Sequence, residues 1–221
     1  DGRGPQEVAA GPEAIMIIEP GPLDPPERRE ITGDRLIFKF DADGNLREYL
    51  GNSGTSVRFV PLASASGDVR SISATDFSAK IDPKTGEAEA IRFFENVVFA
   101  RKAQRGSGDR AEFRESSARM VVSGRASFED SVDRVSLRST SIDIDTRTGS
   151  FEASGGVRHI QTGGIPGAPF GVPGADLLAT SKRLQYDAAR RLTQYFDRVV
   201  FRAGGDELRA LNVQMQETDQ G

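Results

Sequence analysis

The sequence predicts an all-β protein made of many short antiparallel strands. Apolar and polar residues alternate with a period of two in segment after segment, and no stretch shows the 3.6-residue period of a helix. Short turns that begin with Asp separate these segments. A nine-residue phrase also occurs twice, as RFFENVVFA at 92–100 and QYFDRVVFR at 194–202. Such self-similarity is typical of stacked repeats, so we expect roughly fourteen or more strands, in two facing sheets or a twisted solenoid.

Four turns share one pattern, in which an aromatic or aliphatic residue precedes Asp and an alternating strand follows the turn. The four aspartates are Asp41, Asp82, Asp145 and Asp187. Asp at the start of a turn can accept hydrogen bonds from its own backbone, and a Gly later in the turn can supply a positive φ. Gly44, Gly86 and Gly149 fill that place in the first three turns, whereas the turn at 187 has no Gly and is predicted to be looser or of another type.

Two segments fall outside this pattern. Residues 1–30 are rich in Pro, Gly and Glu and are interpreted as a linker, with a possible edge strand at the apolar island 14–18. Residues 31–217 are predicted to form a single domain. Within it, the Gly/Pro loop 161–176 carries Ile165, Phe170 and Val172, and it is interpreted as a packed surface loop or as a flap over an open edge of the core.

Composition excludes several classes of function. The net charge is −4 with 28% charged residues, which does not fit the basic surface of a nucleic-acid-binding protein. The chain has no Cys, so disulfides, thiol catalysis and Cys-ligated metals are excluded. No run of 18 apolar residues is present. The chain starts at Asp1 without Met, and we interpret it as a processed or trimmed form that a signal peptide or anchor could precede.

Catalytic and metal-binding residues are not evident, so the sequence predicts neither an enzyme nor a cofactor. The single His, His159, has no neighbouring acid cluster that would complete a triad or a metal site. DADGN at 41–45 has the start of a calcium loop but no bidentate Glu at the required distance, so it is interpreted as a turn. Asp143 and Asp145 share a strand face with Arg138 and Arg147 nearby, which favours a solvated surface over a glycosidase carboxylate pair.

The repeat resembles the OstA-like repeat of the lipopolysaccharide-transport (Lpt) proteins. Residues 179–215, ATSKRLQYDAARRLTQYFDRVVFRAGGDELRALNVQM, show its order of features: a small residue opening a strand, an aromatic-Asp turn, an alternating strand and a Gly-Asn-Val-like step. Residues 151–160 carry the Gly-Gly-Val form of the step. The two copies of the nine-residue phrase replace its Gly by an acid, and Gly51-Asn52 lacks the following Val. The resemblance covers about residues 30–215.

This resemblance implies an open β-jellyroll, the "β-taco", in which two antiparallel sheets face each other and leave one side open. It also implies a periplasmic location, lipopolysaccharide as the ligand through its acyl chains, and end-to-end edge-strand pairing with other Lpt-type jellyrolls. An inner-membrane anchor preceding residue 1 is compatible with it. The apolar interior would then bind lipid.

Inward-facing apolar residues are therefore the candidate lipid contacts, and ordinary core packing is the alternative for each. The candidates are Leu36, Phe38, Phe40, Val57, Phe59, Phe77, Ile81, Val97, Phe99, Phe113, Met120, Val122, Phe128, Val135, Leu137, Ile142, Ile144, Phe151, Val157, Leu184, Tyr186, Val199 and Phe201. Strict alternation puts Phe93 and Val97 on the same face as Glu95. Either a bulge or turn at Glu95-Asn96 resets the register, or one of these assignments is wrong.

A second hypothesis is a structural or interaction module without lipid cargo, such as a closed β-solenoid that serves as a scaffold. It predicts a dry, filled core, whereas the transport hypothesis predicts an open apolar slot. A carbohydrate-active β-helix enzyme is a third possibility, but it lacks a catalytic cluster.

Overall fold

The computed structural model describes residues 6–20, 26–62, 68–86, 88–114, 116–163 and 174–216. Within these ranges the chain forms sixteen β-strands and no helix, and every strand pairing is antiparallel, so the all-β prediction is confirmed. The strands are β1 Glu7–Ala10, β2 Ala14–Ile18, β3 Glu27–Gly33, β4 Arg35–Phe40, β5 Leu46–Asn52, β6 Thr55–Pro61, β7 Arg70–Ala74, β8 Asp76–Ile81, β9 Ala88–Arg101, β10 Gln104–Arg114, β11 Arg119–Asp130, β12 Val135–Asp145, β13 Phe151–Gln161, β14 Leu177–Asp187, β15 Leu192–Ala203 and β16 Asp206–Gln216.

The chain divides into two compact units, 1–117 and 118–221, each of which is described by itself. In the N-terminal unit, one half-sheet has the order β1-β4-β5-β8-β9 and a second has the order β2-β3-β6-β7-β9. Strand β9 belongs to both because its residues 88–94 pair with β8 and its residues 98–101 pair with β7. β9 therefore passes from one half-sheet to the other, and β10 pairs with it along both parts.

The C-terminal unit is a meander in which each strand from β11 to β16 pairs with the next one along the chain. Every one of these five pairings has a register shift near its middle. Each strand is thus split into two parts, and the pairing continues on both sides of the split.

Two consecutive left-handed residues cause the bend in every second long strand. The four pairs are Glu95-Asn96, Gly124-Arg125, Gly155-Gly156 and Asp197-Arg198, with φ values between 52° and 86°. Each pair adds one residue relative to the neighbouring strand, which is the definition of a β-bulge and increases local bending. We call these four positions the double bulges.

The double bulge at Glu95-Asn96 resolves the register conflict noted in the sequence. Phe93 and Val97 are both buried although Glu95 between them is exposed. The same four-residue spacing of buried residues recurs across Asp197-Arg198, from Tyr195 to Val199. A double bulge therefore brings residues i and i+4 to the interior instead of i and i+2.

In the C-terminal unit the parts before and after the bends face each other. Tyr195 precedes its bend and Phe201 follows it, yet their rings meet edge to face with centroids 4.9 Å apart. Tyr195 also contacts His159, which follows the bend of β13. The structure therefore has the open antiparallel jellyroll architecture that the sequence predicts, with the core between the two half-sheets.

Gly51-Asn52 matches the Gly-Asn dipeptide of the repeat, but the left-handed pair of residues lies two positions later in the structure. Ser53 and Gly54 are the left-handed pair there, with φ of 62° and 82°, and they separate β5 from β6. Gly51 itself is a buried strand residue, and a Cβ on it would lie 2.2 Å from the ring of Phe77. Position 51 therefore requires Gly because the Phe77 ring packs against it, and not because its φ is positive.

The four Asp turns have the predicted capping hydrogen bonds. At Asp41, the backbone N–H groups of Asp43 and Asn45 donate to Oδ1 at 3.0 and 2.9 Å. Asp82, Asp145 and Asp187 accept equivalent bonds. In the last turn Arg191 takes the left-handed position, with φ 48°, where the others have Gly.

Strands also occur within the segment 1–30. β1 pairs with β4, β2 occupies the apolar island and pairs with β3, and β3 begins at Glu27.

Ile165, Phe170 and Val172 of the 161–176 loop lie outside the described residues, so its interpretation as a flap stays a prediction. None of the described residues form a helix that could span a membrane.

Candidate functional site

The apolar interior of each unit is the candidate functional site, because it brings the predicted inward residues together. None of the 23 candidates is exposed. Twelve are buried: Leu36, Val57, Phe77, Ile81, Val97, Val122, Leu137, Ile142, Val157, Leu184, Val199 and Phe201. Eleven are only half-buried: Phe38, Phe40, Phe59, Phe99, Phe113, Met120, Phe128, Val135, Ile144, Phe151 and Tyr186. We call these eleven the rim residues.

For the inward apolar residues of β11, β12 and β13, burial decreases with distance from the bend, whereas Leu177 of β14 and Ala203 of β15 are buried at the strand ends. On β11, Val122 beside the double bulge is fully buried, whereas Met120, one inward position further away, is half-buried. After the bend, Ala126 is buried and Phe128 is half-buried. The interior is therefore packed next to the bends, and its residues on β11 to β13 become partly accessible towards the strand ends.

Aromatic rings dominate the accessible part of the C-terminal interior. Phe151 lies between Phe128 and Tyr186, with ring centroids 6.2 and 5.3 Å away. Phe128 follows its bend and Phe151 precedes its own, so their contact joins the two facing half-sheets. These partly exposed rings of both half-sheets offer an apolar surface with large contact area.

In the N-terminal unit the rim residue Phe99 lies over a glycine of the neighbouring strand. A Cβ on Gly106 would be 1.9 Å from the ring of Phe99, so Gly106 leaves the space that this ring fills. Phe59 is covered by the guanidinium of Arg70, whose Cζ is 5.0 Å from the ring centroid, and Arg70 also pairs with Glu27. The rim of this unit thus combines aromatic rings with a paired cation.

Sequence reasoning missed several interior residues, of which Phe93, Tyr195 and Tyr49 are the largest. Phe93 and Tyr195 share the parity of Val97 and Val199, but strict alternation puts the acids Glu95 and Asp197 on that face as well, so alternation alone could not assign the two rings. The repeated acid-polar dipeptide between them, Glu95-Asn96 and Asp197-Arg198, was the available signal. Asn and Asp tolerate the left-handed region better than most residues, so a repeated short polar pair inside a strand can indicate a double bulge.

A polar pair lies inside the C-terminal interior. Nδ1 of His159 is hydrogen-bonded to the hydroxyl of Tyr195 at 2.5 Å, and the two rings stack with centroids 5.9 Å apart. Burial lowers the pKa of His159 to about 4 and raises the pKa of Tyr195 above its usual range. Both side chains are therefore neutral at physiological pH.

The carboxylates considered in the sequence lie on the outer faces and in turns. Asp143 pairs with Arg119 at 2.6 Å, which also raises the pKa of that guanidinium. Backbone N–H groups of its own turn lower the pKa of Asp145, and the same holds for Asp41. These acids are committed to an ion pair or to turn hydrogen bonds, as the sequence interpretation requires.

Each unit has an unpaired strand edge within the described residues. β16 pairs with β15 alone, and β1 and β2 each pair with one strand, β4 and β3. Apolar side chains are exposed at these edges, including Leu208 and Leu211 on β16 and Ile15 and Ile17 on β2. Unpaired edges with apolar side chains can add another strand.

Comparison with known proteins gives a likeness to solved structures but no match in sequence. No protein-family model matches the chain, and no curated protein matches it. A matching solved structure is the crystal structure of LptH, the LptA homologous periplasmic component of the conserved lipopolysaccharide transport device from Pseudomonas aeruginosa. The likeness covers 46% of this chain and 76% of that one, at 10% sequence identity and a TM-score of 0.32.

Proposed function

We propose that this chain is a periplasmic lipopolysaccharide-binding transport protein whose interior shields the acyl chains and passes them towards the outer membrane. The observation that carries the proposal is the half-burial of the rim residues. Eight of these eleven side chains are aromatic, and the protein leaves them partly exposed in the interior. The resemblance of the repeat to the OstA-like family supports the choice of lipid.

Physical chemistry favours an acyl chain as the occupant. Each methylene removed from water contributes about 0.8 kcal/mol, so a lipid with several chains needs an apolar surface on its way through water. Rim residues repeat from strand to strand, and they offer many similar contacts instead of one deep pocket. Such a surface can hold a chain without fixing it at a single position.

The twelve buried candidates have a different role from the rim residues. Phe77, Val97 and Phe201 are at most 2% exposed, and their contacts are already made within the protein. They hold the two half-sheets together, and lipid contacts are assigned to the rim residues alone. The unpaired edges at β16 and at β1 and β2 would allow end-to-end pairing with other jellyrolls of the same kind.

A filled interior next to the bends is the observation that favours the alternative, a structural module without cargo. The side chains of Tyr195 and Phe201 are both 0% exposed there, so no ligand can contact them. The two functions differ at the rim, because a structural module needs no affinity for lipid at Phe128 or Phe151.

Tryptophan fluorescence tests the proposal, since the chain has no Trp of its own. Phe128→Trp places the fluorophore at the rim, and Val132→Trp places it in a turn where the native side chain is 76% exposed. Lipopolysaccharide should shift the emission of the rim variant to shorter wavelength and leave the turn variant unchanged. Deacylated lipopolysaccharide should shift neither. An equal shift in both variants, or none in either, would contradict the proposal.

A further inference from the structure

His159 lies on the inward face of the C-terminal unit, among apolar neighbours. Its registered partners on the adjacent strands are Leu137 and Ala179, both buried. Val157, the preceding inward residue, is buried, and Gln161, the following one, is half-buried. His159 therefore stands between the packed part of the interior and its accessible end.

The hydroxyl of Tyr195 determines the tautomer of this imidazole. Tyr195 is completely buried, and Nδ1 of His159 is its hydrogen-bond partner within the described residues. A buried O–H group without an acceptor costs free energy, so Tyr195 donates and Nδ1 accepts. A neutral imidazole carries one proton, and here that proton is on Nε2.

Nε2–H is thus a hydrogen-bond donor that the protein does not use in its described part. No side-chain nitrogen or oxygen there is both fully buried and without a partner, so Nε2 retains accessible surface. Other polar side chains of the interior are committed: Ser139 and Ser181 donate to the carbonyls of Ser141 and Arg183, and Gln161 donates to the carbonyl of Asp133.

We propose that His159 Nε2–H, held by Tyr195, is a binding subsite for a hydroxyl oxygen on an acyl chain inside the C-terminal interior. This inference rests on the proposed function, because it assumes that acyl chains enter this space. A donor in an apolar surrounding discriminates well, since a ligand without the oxygen leaves it unpaired. The interior would then distinguish hydroxylated from plain acyl chains.

Binding of two fatty acids to the full chain tests the subsite. The probes are 3-hydroxytetradecanoic acid and tetradecanoic acid, which differ in one oxygen. We expect the hydroxylated acid to bind about threefold to tenfold more tightly, which corresponds to one net hydrogen bond. In His159→Phe/Tyr195→Phe, which removes both polar groups and keeps two rings, the ratio should fall to one while tetradecanoic acid still binds. Tyr49→Phe, a buried position of the N-terminal unit that is not a rim residue, is the control, and it should keep the wild-type ratio.

Nuclear magnetic resonance gives a second test that needs no substitution. The chain has one His, so every imidazole signal belongs to His159. Its ¹⁵N shifts should show the Nε2–H tautomer, and the hydroxylated acid should move the Nε2 signal further than the plain acid does.

Equal affinity of the wild type for both acids, an unchanged ratio in the double variant, loss of the ratio in the control, or an Nδ1–H tautomer would each overturn the subsite. If neither acid binds to the wild-type protein, the proposed function itself is overturned. The two failures are therefore distinguishable.

Discussion

The two copies of the nine-residue phrase, 92–100 and 194–202, form the same bend but contact different partners. Phe93 and Tyr195 are equivalent, and so are Phe99 and Phe201. Phe93 stacks on Phe77 of its own half-sheet with centroids 6.1 Å apart, whereas Tyr195 crosses to Phe201 and His159. The phrase thus encodes the double bulge, and the neighbouring strands decide what its inward residues touch.

A second difference concerns accessibility. Phe99 is half-buried and lies over Gly106, while Phe201 is completely buried against Tyr195. The first copy therefore contributes a ring to the accessible part of its interior, and the second contributes a ring to the packed part. Equivalent positions of a repeat can in this way divide between the accessible and the packed part of an interior.

The largest expected effect is loss of a ring at the start of the phrase. Phe93→Ala and Tyr195→Ala should each lower the free energy of unfolding by about 3–5 kcal/mol, because each deletes a fully packed aromatic side chain. Tyr195→Ala should cost more, since it also leaves Nδ1 of His159 without its partner. Urea denaturation measures both values. Val98→Ala, on the outer face of the same strand, is the control and should cost under about 1 kcal/mol. Similar losses at all three positions would refute the inward assignment.

The next effect depends on pH and concerns the second copy alone, through His159 of β13, the hydrogen-bond partner of Tyr195. The folded pKa of His159 is about 4, below the usual 6.5, because burial disfavours the charged form. Below pH 6.5 the unfolded chain binds the proton first, so stability is complete above pH 6.5 and is lost as the pH falls towards 4.

The loss should reach at most about 3 kcal/mol. The difference between wild type and His159→Phe/Tyr195→Phe isolates it, because the acids that titrate in the same range are common to both proteins. Chemical denaturation from pH 7 to pH 4 measures the difference. Identical pH profiles of the two proteins would show that His159 is not buried as described.

A smaller effect distinguishes the two glycines of one double bulge. Gly155→Ala should cost about 2 kcal/mol, since its φ is 83° and a Cβ would lie 2.5 Å from the side chain of Thr140. Gly156→Ala meets no atom within 4 Å and should cost about 1 kcal/mol for its positive φ alone. Thermal or urea unfolding of the two variants measures which one loses more free energy of unfolding. The reverse order would contradict the geometry of this bend.

The smallest expected effect comes from placing Gly at the bend of each copy, at Glu95 and at Asp197. Glu95 and Asp197 both have positive φ, at 60° and 64°. Glu95→Gly should stabilise the protein by about 0.5 kcal/mol, because Gly adopts this conformation without strain. Asp197→Gly should gain less, since Asp tolerates the left-handed region. A stability loss in Glu95→Gly would show that its side chain, and not its backbone, maintains the bend.

Much of the fold follows from the sequence because strands and turns have local signals. Alternation selects the 23 candidate residues, none of which is exposed, and the Asp turns accept the predicted hydrogen bonds. Gly155-Gly156 is recognisable as a bend because Gly permits positive φ. Ser53-Gly54 was misplaced by two residues, since Gly51 and Gly54 look alike in sequence although one serves packing and the other serves backbone conformation.

Contacts across the interior could not be predicted. Which ring Tyr195 meets depends on how two half-sheets face each other, and no local pattern determines that. The same holds for the division into buried and rim residues, because Phe99 and Phe201 occur in the same phrase. The sequence around His159 shows no neighbouring acid and gives no sign of its partner, Tyr195, which is 36 residues away in the chain.

Photo-crosslinking in cells tests the central claim most directly, which is that acyl chains occupy the interior. A photoreactive amino acid is placed at Phe99, on the inward face, and separately at Val98, the adjacent residue on the outer face. We expect lipopolysaccharide adducts at Phe99 and none at Val98. Adducts at Val98 alone would contradict the assignment of the interior as the lipid site, and no adduct at either position in a folded, expressed protein would contradict lipid transport itself.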